Sequence, residues 1–221
     1  MIGRVVKMLA MVAFGSATMF ATQVTVSIAS GFAPNGGQAP YTALVNGITT
    51  TVICDDSFDT IAPPETWTAN VLMLNNLNAS NYKMTEFGSM AGSLSAATKL
   101  YDEVAYLALQ FGANPIANWG GIQTAIWHIF DANASTVAGT GKTSTAYWTN
   151  LAGMATNQAI GAANAYRIEI LTPNSPQRAP GKGGPQEFIV VTPEPATYAL
   201  FGMGLILLSL GTYRRRNKKS E

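Results

Sequence analysis

The sequence predicts an α+β protein: a single domain with β-strands at both ends and a helical middle, framed by an N-terminal signal peptide and one C-terminal transmembrane helix. Three observations carry that reading. Apolar residues alternate with polar ones up to about residue 74 and again after residue 164, the period of strands. Between residues 93 and 159 they recur at steps of three and four, the period of helices. Each end of the chain also carries an apolar run flanked by cations, unlike anything in between.

Residues 1–21 have the parts of an export signal. Arg4 and Lys7 precede the apolar run Met8 to Phe14, small residues follow, and no acid occurs before Asp55. Gly15-Ser16-Ala17, Met19-Phe20-Ala21 and Ser27-Ile28-Ala29 each offer a cleavage context, and cleavage near Ala17 to Ala21 keeps the next strand; an uncleaved anchor is the alternative. The exported domain then spans residues 22–171. TQVTVSI (22–28) alternates as a strand, and GFAPNGGQAP (31–40) is a loop. YTALVNGITTTVIC (41–54) reads as a hairpin about Asn46-Gly47, and TWTANVLML (66–74) as a further strand.

Leu94, Ala97, Tyr101, Val104, Ala108 and Phe111 form one face of a helix, with Gly112 as its stop and Pro115 as the break. NWGG (118–121) reads as a breaker, with a second helix starting at Trp119 to Ile122 and a third, weakened by Gly153, over 143–159. AYRIEIL (165–171) returns to strand, with Tyr166, Ile168 and Ile170 on one face. Residues 172–192 hold a Pro- and Gly-rich loop or linker, TPNSPQRAPGKGGP, and the last strand, QEFIVV (186–191).

From Ala196 to Tyr213 run 18 residues without a charge, followed by Arg214, Arg215, Arg216, Lys218 and Lys219. Such a run just crosses a thin hydrocarbon core, and such a cluster stays cytoplasmic, which places the domain on the far side of the inner membrane. Pro193-Glu194-Pro195, the apolar run and the terminal cations, in that order across residues 193–221, resemble the PEP-CTERM sorting signal of Gram-negative bacteria that make extracellular polysaccharide. The resemblance implies an exosortase-type membrane enzyme as partner, cleavage near the triplet, a transient inner-membrane anchor with the domain in the periplasm, and passage to the cell surface or beyond. A permanent anchor is the alternative.

Charge excludes one class of partner. Setting aside the seven cations of the two targeting ends and Glu221 leaves six cations against eleven acids, so the exported part is acidic and no nucleic acid is expected as a partner. Gly-rich stretches lack the lysine of a phosphate loop, and the single histidine, His128, has no G-x-S-x-G partner, so it reads as a surface polar residue. Asp55, Asp56 and Asp59 lack the glycine and spaced oxygens of a calcium loop and read as a solvated turn. No cofactor, metal ligand or catalytic residue is expected, and no enzyme activity.

One thiol stands out. Cys54, in TTTVICDDSF (49–58), is the only cysteine, so no disulfide within the chain explains it. In IQTAIW (122–127), Gln123 and Trp127 share a helix face, beside the apolar stripe of Ile122 and Ile126. A thiol and a carboxamide can condense to a thioester with loss of ammonia, provided the fold presses them together and excludes water. These residues resemble bacterial thioester domains, surface adhesin modules with an internal Cys–Gln bond. IQTAIW fits their glutamine motif in full, while Ile53-Cys54-Asp55-Asp56 fits their cysteine motif through Asp56 and departs from it at Asp55. The resemblance implies a Cys54–Gln123 cross-link, shielded by Ile122, Ile126 and Trp127 and tuned by Asp56, that attaches the protein to a surface polysaccharide or protein. A fold that has lost the bond, or a matrix component with a buried free cysteine, is the alternative.

Overall fold

The computed structural model describes residues 22–29, 40–155, 166–174 and 185–193. The signal peptide expected over 1–21, Glu194 and Pro195, the membrane helix expected over 196–213 and the cations after it lie outside the described residues. Among the described residues no helix is long and apolar enough to cross a membrane.

Six antiparallel strands form a closed barrel: β1 (Thr22–Ile28), β2 (Tyr41–Val45), β3 (Ile48–Cys54), β4 (Glu65–Met73), β5 (Tyr166–Pro173) and β6 (Phe188–Pro193), in spatial order β1-β2-β3-β6-β5-β4. Strands at both ends of a helical middle match the reading of the sequence; closure into a barrel was not foreseen. The last strand, set beside the linker in that reading, pairs with both β3 and β5 and is a stave of the same domain.

The β2–β3 hairpin forms because Asn46 and Gly47 tolerate the positive φ angles, 50° and 79°, that a tight hairpin turn requires. Asn46 also ties the turn to β1. Its N–H donates to Thr25 O at 2.8 Å and its Oδ1 accepts from Thr25 N at 2.9 Å. That clamp closes the β1–β2 edge, where the register has only the pairs Val26–Val45 and Ser27–Leu44.

Between β4 and β5 come α1 (Glu86–Met90), α2 (Leu94–Ala113), α3 (Trp119–Phe130) and α4 (Thr145–Met154). Thr85 caps α1, Ser93 caps α2 and Ser144 caps α4, each side chain accepting a backbone N–H of the first turn. The helix expected to stop at Gly112 runs to Ala113, where Asn114 takes an extended backbone (φ −129°, ψ 148°) ahead of Pro115. Gly120 and Gly121, read as breakers, lie inside α3. A Cβ on Gly121 would sit 2.8 Å from Thr143 O, so the glycine lets α3 approach the start of α4. Thr124 and Thr145 join the two helices there by a hydroxyl pair at 2.6 Å.

Two apolar cores result. Val24, Val26, Ile28, Tyr41, Ala43, Val52, Trp67 and Phe188 fill the barrel. Ile53, Leu72, Ile170 and Ile189, from the outer faces of the strands, meet Tyr101, Val104, Phe111, Ile122, Ile126 and Trp148 of the helices. Strand alternation separates the two sets, so Cys54 joins the barrel cluster while Ile53 turns toward the helices.

Candidate functional site

Cys54 is the last residue of β3 and pairs with Phe188, and Phe188 pairs with Leu171 of β5. All three belong to the barrel interior. One step along each strand the side chains point to the opposite face. That step brings Asp55, Glu187 and Thr172 into a second row, facing the helices, and all three are closed to solvent. The acidic stretch 55–59 is therefore no solvated turn: Asp55 and Asp56 are fully buried and Asp59 nearly so. Charge along the sequence could not reveal this, because the groups that enclose the stretch come from α1, α3 and the approach to β6.

Gln123 lies in the first half of α3 and is fully buried. Its Nε2 donates to the backbone carbonyl of Cys54 at 2.6 Å, which seats the carboxamide on the cysteine across 69 residues of sequence. Gln123 Oε1 is buried without a hydrogen-bond partner. The thiol donates to Asp56 O at 3.0 Å. Trp127 is half-buried and packs against the cluster that includes Cys54. Its indole N–H leans on the sulfur without closing a hydrogen bond of ordinary geometry. Ile122 and Ile126 are fully buried in the neighbouring helical core. The residues singled out in the sequence, Cys54, Asp56, Ile122, Gln123, Ile126 and Trp127, thus converge on one junction of barrel and helices.

Burial, followed by the nearby Asp56 and Asp55, pushes the Cys54 thiol well above its ordinary range, so it is held protonated. Burial and then the facing Glu187 carboxyl push Asp55 up as well, so Asp55 keeps a proton that an exposed aspartate would have lost. The residue that departs from the thioester-domain pattern is therefore directed away from the barrel interior, toward Glu187. Asp56 is pushed up to about 7, chiefly by burial, although N–H donation from Phe58 and Asp59 works the other way.

Glu187 was not singled out in the sequence, yet it organises this junction. Its Oε2 accepts from Glu86 N at 2.8 Å and from the Thr172 hydroxyl, and its Oε1 accepts from Tyr101 Oη at 2.5 Å. One carboxylate thus joins α1, α2, β5 and the start of β6. Gln186 Nε2 donates to the carbonyls of Asp56 (3.1 Å) and Asp59, which holds the acidic stretch. Ser57 donates to Asp131 at the end of α3 at 3.2 Å. The available signal was a charged residue abutting the buried run FIVV. His128, expected at the surface, is half-buried and lines a separate cavity of about 410 Å³ with Ser144, Thr145 and Asn150.

In comparisons with known proteins, no curated protein and no solved structure matches the chain. Residues 191–216 match the PEP-CTERM protein-sorting motif, which starts within β6 and runs through the expected membrane helix into the arginines. The match covers the tail and not the barrel domain. It implies an exported protein whose C-terminus is transiently anchored in the membrane and processed by an exosortase.

Proposed function

We propose that the exported domain attaches covalently to a partner at the cell surface or in the extracellular matrix, through a thioester between Cys54 and Gln123. The observation that carries this reading is the seating of the Gln123 carboxamide on Cys54, both fully buried, with Nε2 to Cys54 O at 2.6 Å. In the condensation the sulfur bonds to Gln123 Cδ, the C–N bond breaks, and the thiol proton leaves with the nitrogen as ammonia. A dry, fixed geometry favours that step and protects the product from hydrolysis.

An amine or hydroxyl on the partner then attacks the thioester carbonyl. An amide or ester forms to Gln123, and the Cys54 thiol is released. The protein reacts once and does not turn over, so it is not an enzyme. Trp127 is the half-exposed member of the group, so an incoming nucleophile would pass its indole. Surface polysaccharide and surface protein both carry suitable nucleophiles, and a role in adhesion or biofilm matrix follows from either.

The test is the intact mass of the purified full chain before and after methylamine. A mass short by one ammonia that rises by one methylamine on treatment, with neither change seen in Cys54→Ala or Gln123→Ala, is the expected result. The second reading, a non-covalent matrix component, is favoured by the thiol as it stands: free, buried and donating to Asp56 O. An unmodified mass, with a thiol that titrates only on unfolding, removes the first reading and leaves the second.

A further inference from the structure

The buried carboxyls at the barrel–helix junction outnumber what the thioester chemistry uses. Asp56, Asp59 and Glu86 each place one carboxylate oxygen within 4.8 Å of the others, and the three residues are 0%, 5% and 4% exposed. Asp55 and Glu187 lie beside them, so the strongest charged neighbours of Asp56 are other acids. Carboxylates gathered out of water are costly unless a cation or protons neutralise them.

Glu187, which Asp55 faces, is satisfied by Glu86 N and the hydroxyls of Thr172 and Tyr101. The group around Asp56 is arranged differently. Asp56 Oδ1 accepts from the N–H groups of Phe58 (2.8 Å) and Asp59 (3.2 Å), which fixes the plane of the carboxylate. Its Oδ2 is left buried without a hydrogen-bond partner. A fully buried oxygen without a partner, on a carboxylate held in orientation by two backbone donors and offering one oxygen within 4.8 Å of an oxygen each of Asp59 and Glu86, is arranged for a ligand.

We propose that Asp56, Asp59 and Glu86 bind one divalent cation, with calcium as the ion. The donors are all hard carboxylate oxygens, which select calcium, magnesium or manganese over zinc or copper. A mutual spacing within 4.8 Å accommodates Ca–O bonds of about 2.3–2.6 Å. The ion joins the stretch that follows Cys54 to the first residue of α1, and so braces the strand end that presents the thiol. The site does not depend on the thioester, and its readout is metal uptake.

The experiment is calorimetric titration of calcium chloride into the purified full chain, stripped with chelator, with thermal unfolding in parallel. The wild-type chain is expected to take up one calcium. Saturation at about a hundred times the dissociation constant should raise the unfolding midpoint by roughly 5–10 °C. Asp59→Asn and Glu86→Gln should each weaken uptake by at least about tenfold, since affinity follows the number of charged ligands. Absence of calcium uptake by the wild-type chain overturns the site, whether or not the variants fold. Uptake retained in both folded variants overturns it as well, by placing the ion elsewhere.

Discussion

Cys54, Leu171 and Phe188 form a row across three strands of the barrel interior, while Asp55, Thr172 and Glu187, one residue along each strand, form a row just as dry on the other face. The first row is closed by apolar packing. Phe188 stacks on Trp67 with centroids 5.9 Å apart and meets Tyr41 edge-on at 6.0 Å. Its polar loose ends among the described residues include the indole N–H groups of Trp67 and of Trp127, which packs against it. The second row is closed by directed hydrogen bonds to Glu187, and next to it Asp55, Asp56 and Gln123 keep buried oxygens without partners. Packing of the first kind specifies stability and encloses the Cys54 thiol in a dry surrounding. Unpartnered oxygens in the second kind lower stability, by about 1–3 kcal/mol for a buried polar group, and that cost points to chemistry or a ligand.

The comparison breaks most sharply at Phe188. Truncating a fully buried ring to Ala removes apolar contact on all sides and leaves a cavity between Tyr41 and Trp67. Phe188→Ala is expected to cost about 3–5 kcal/mol, measured as a drop in the urea midpoint with unchanged slope. A loss under about 1 kcal/mol would mean that the barrel collapses around the gap and is not the stabilising unit.

A middle-sized effect is expected on the polar side. Glu187→Ala strips the acceptor from Glu86 N, the Thr172 hydroxyl and the Tyr101 hydroxyl at once, all of them buried. Hydrogen bonds to a charged group contribute about 1.5–3 kcal/mol each, but the substitution also removes the desolvation cost of a buried carboxylate, so the net loss is expected near 2–3 kcal/mol. Glu187→Gln keeps one acceptor and should retain about half of that. If the two variants unfold at the same urea concentration, the carboxylate charge matters and the acceptor geometry does not.

How far the sequence reveals these two regions depends on the range of the interactions. The hairpin is legible because Asn46-Gly47 carries its own turn geometry, and α2 is legible because a stripe from Leu94 to Phe111 repeats on a local period. Barrel closure is not, since alternation marks a strand without naming its partner, and β3 meets β6 through only Ile53–Ile189 and Cys54–Phe188. The meeting of Cys54 and Gln123 could be anticipated from two short motifs because each residue type has a restricted chemistry. Burial of Asp55 to Asp59 could not, because Gln186 and Glu187, which enclose them, lie some 130 residues away. A charged residue beside an apolar strand was the only local trace of that row.

The smallest effect on stability comes from Gly121, and it tests whether the two regions are coupled. Ala at this position raises helix propensity by up to about 1 kcal/mol, while its Cβ would press on Thr143 O at 2.8 Å and on Trp148 at 3.1 Å. Overpacking of that kind costs about 1–3 kcal/mol, so the net loss expected for Gly121→Ala is about 0–2 kcal/mol. The contact can be relieved only by moving α3 away from the start of α4, and Gln123 sits two residues further along α3. Backbone amide exchange should therefore quicken around Cys54 and α3 while β4 and β5 keep their protection. Equal loosening of both would show that barrel and junction open as one unit, and that the dry polar row has no independent mobility to lend to a reaction.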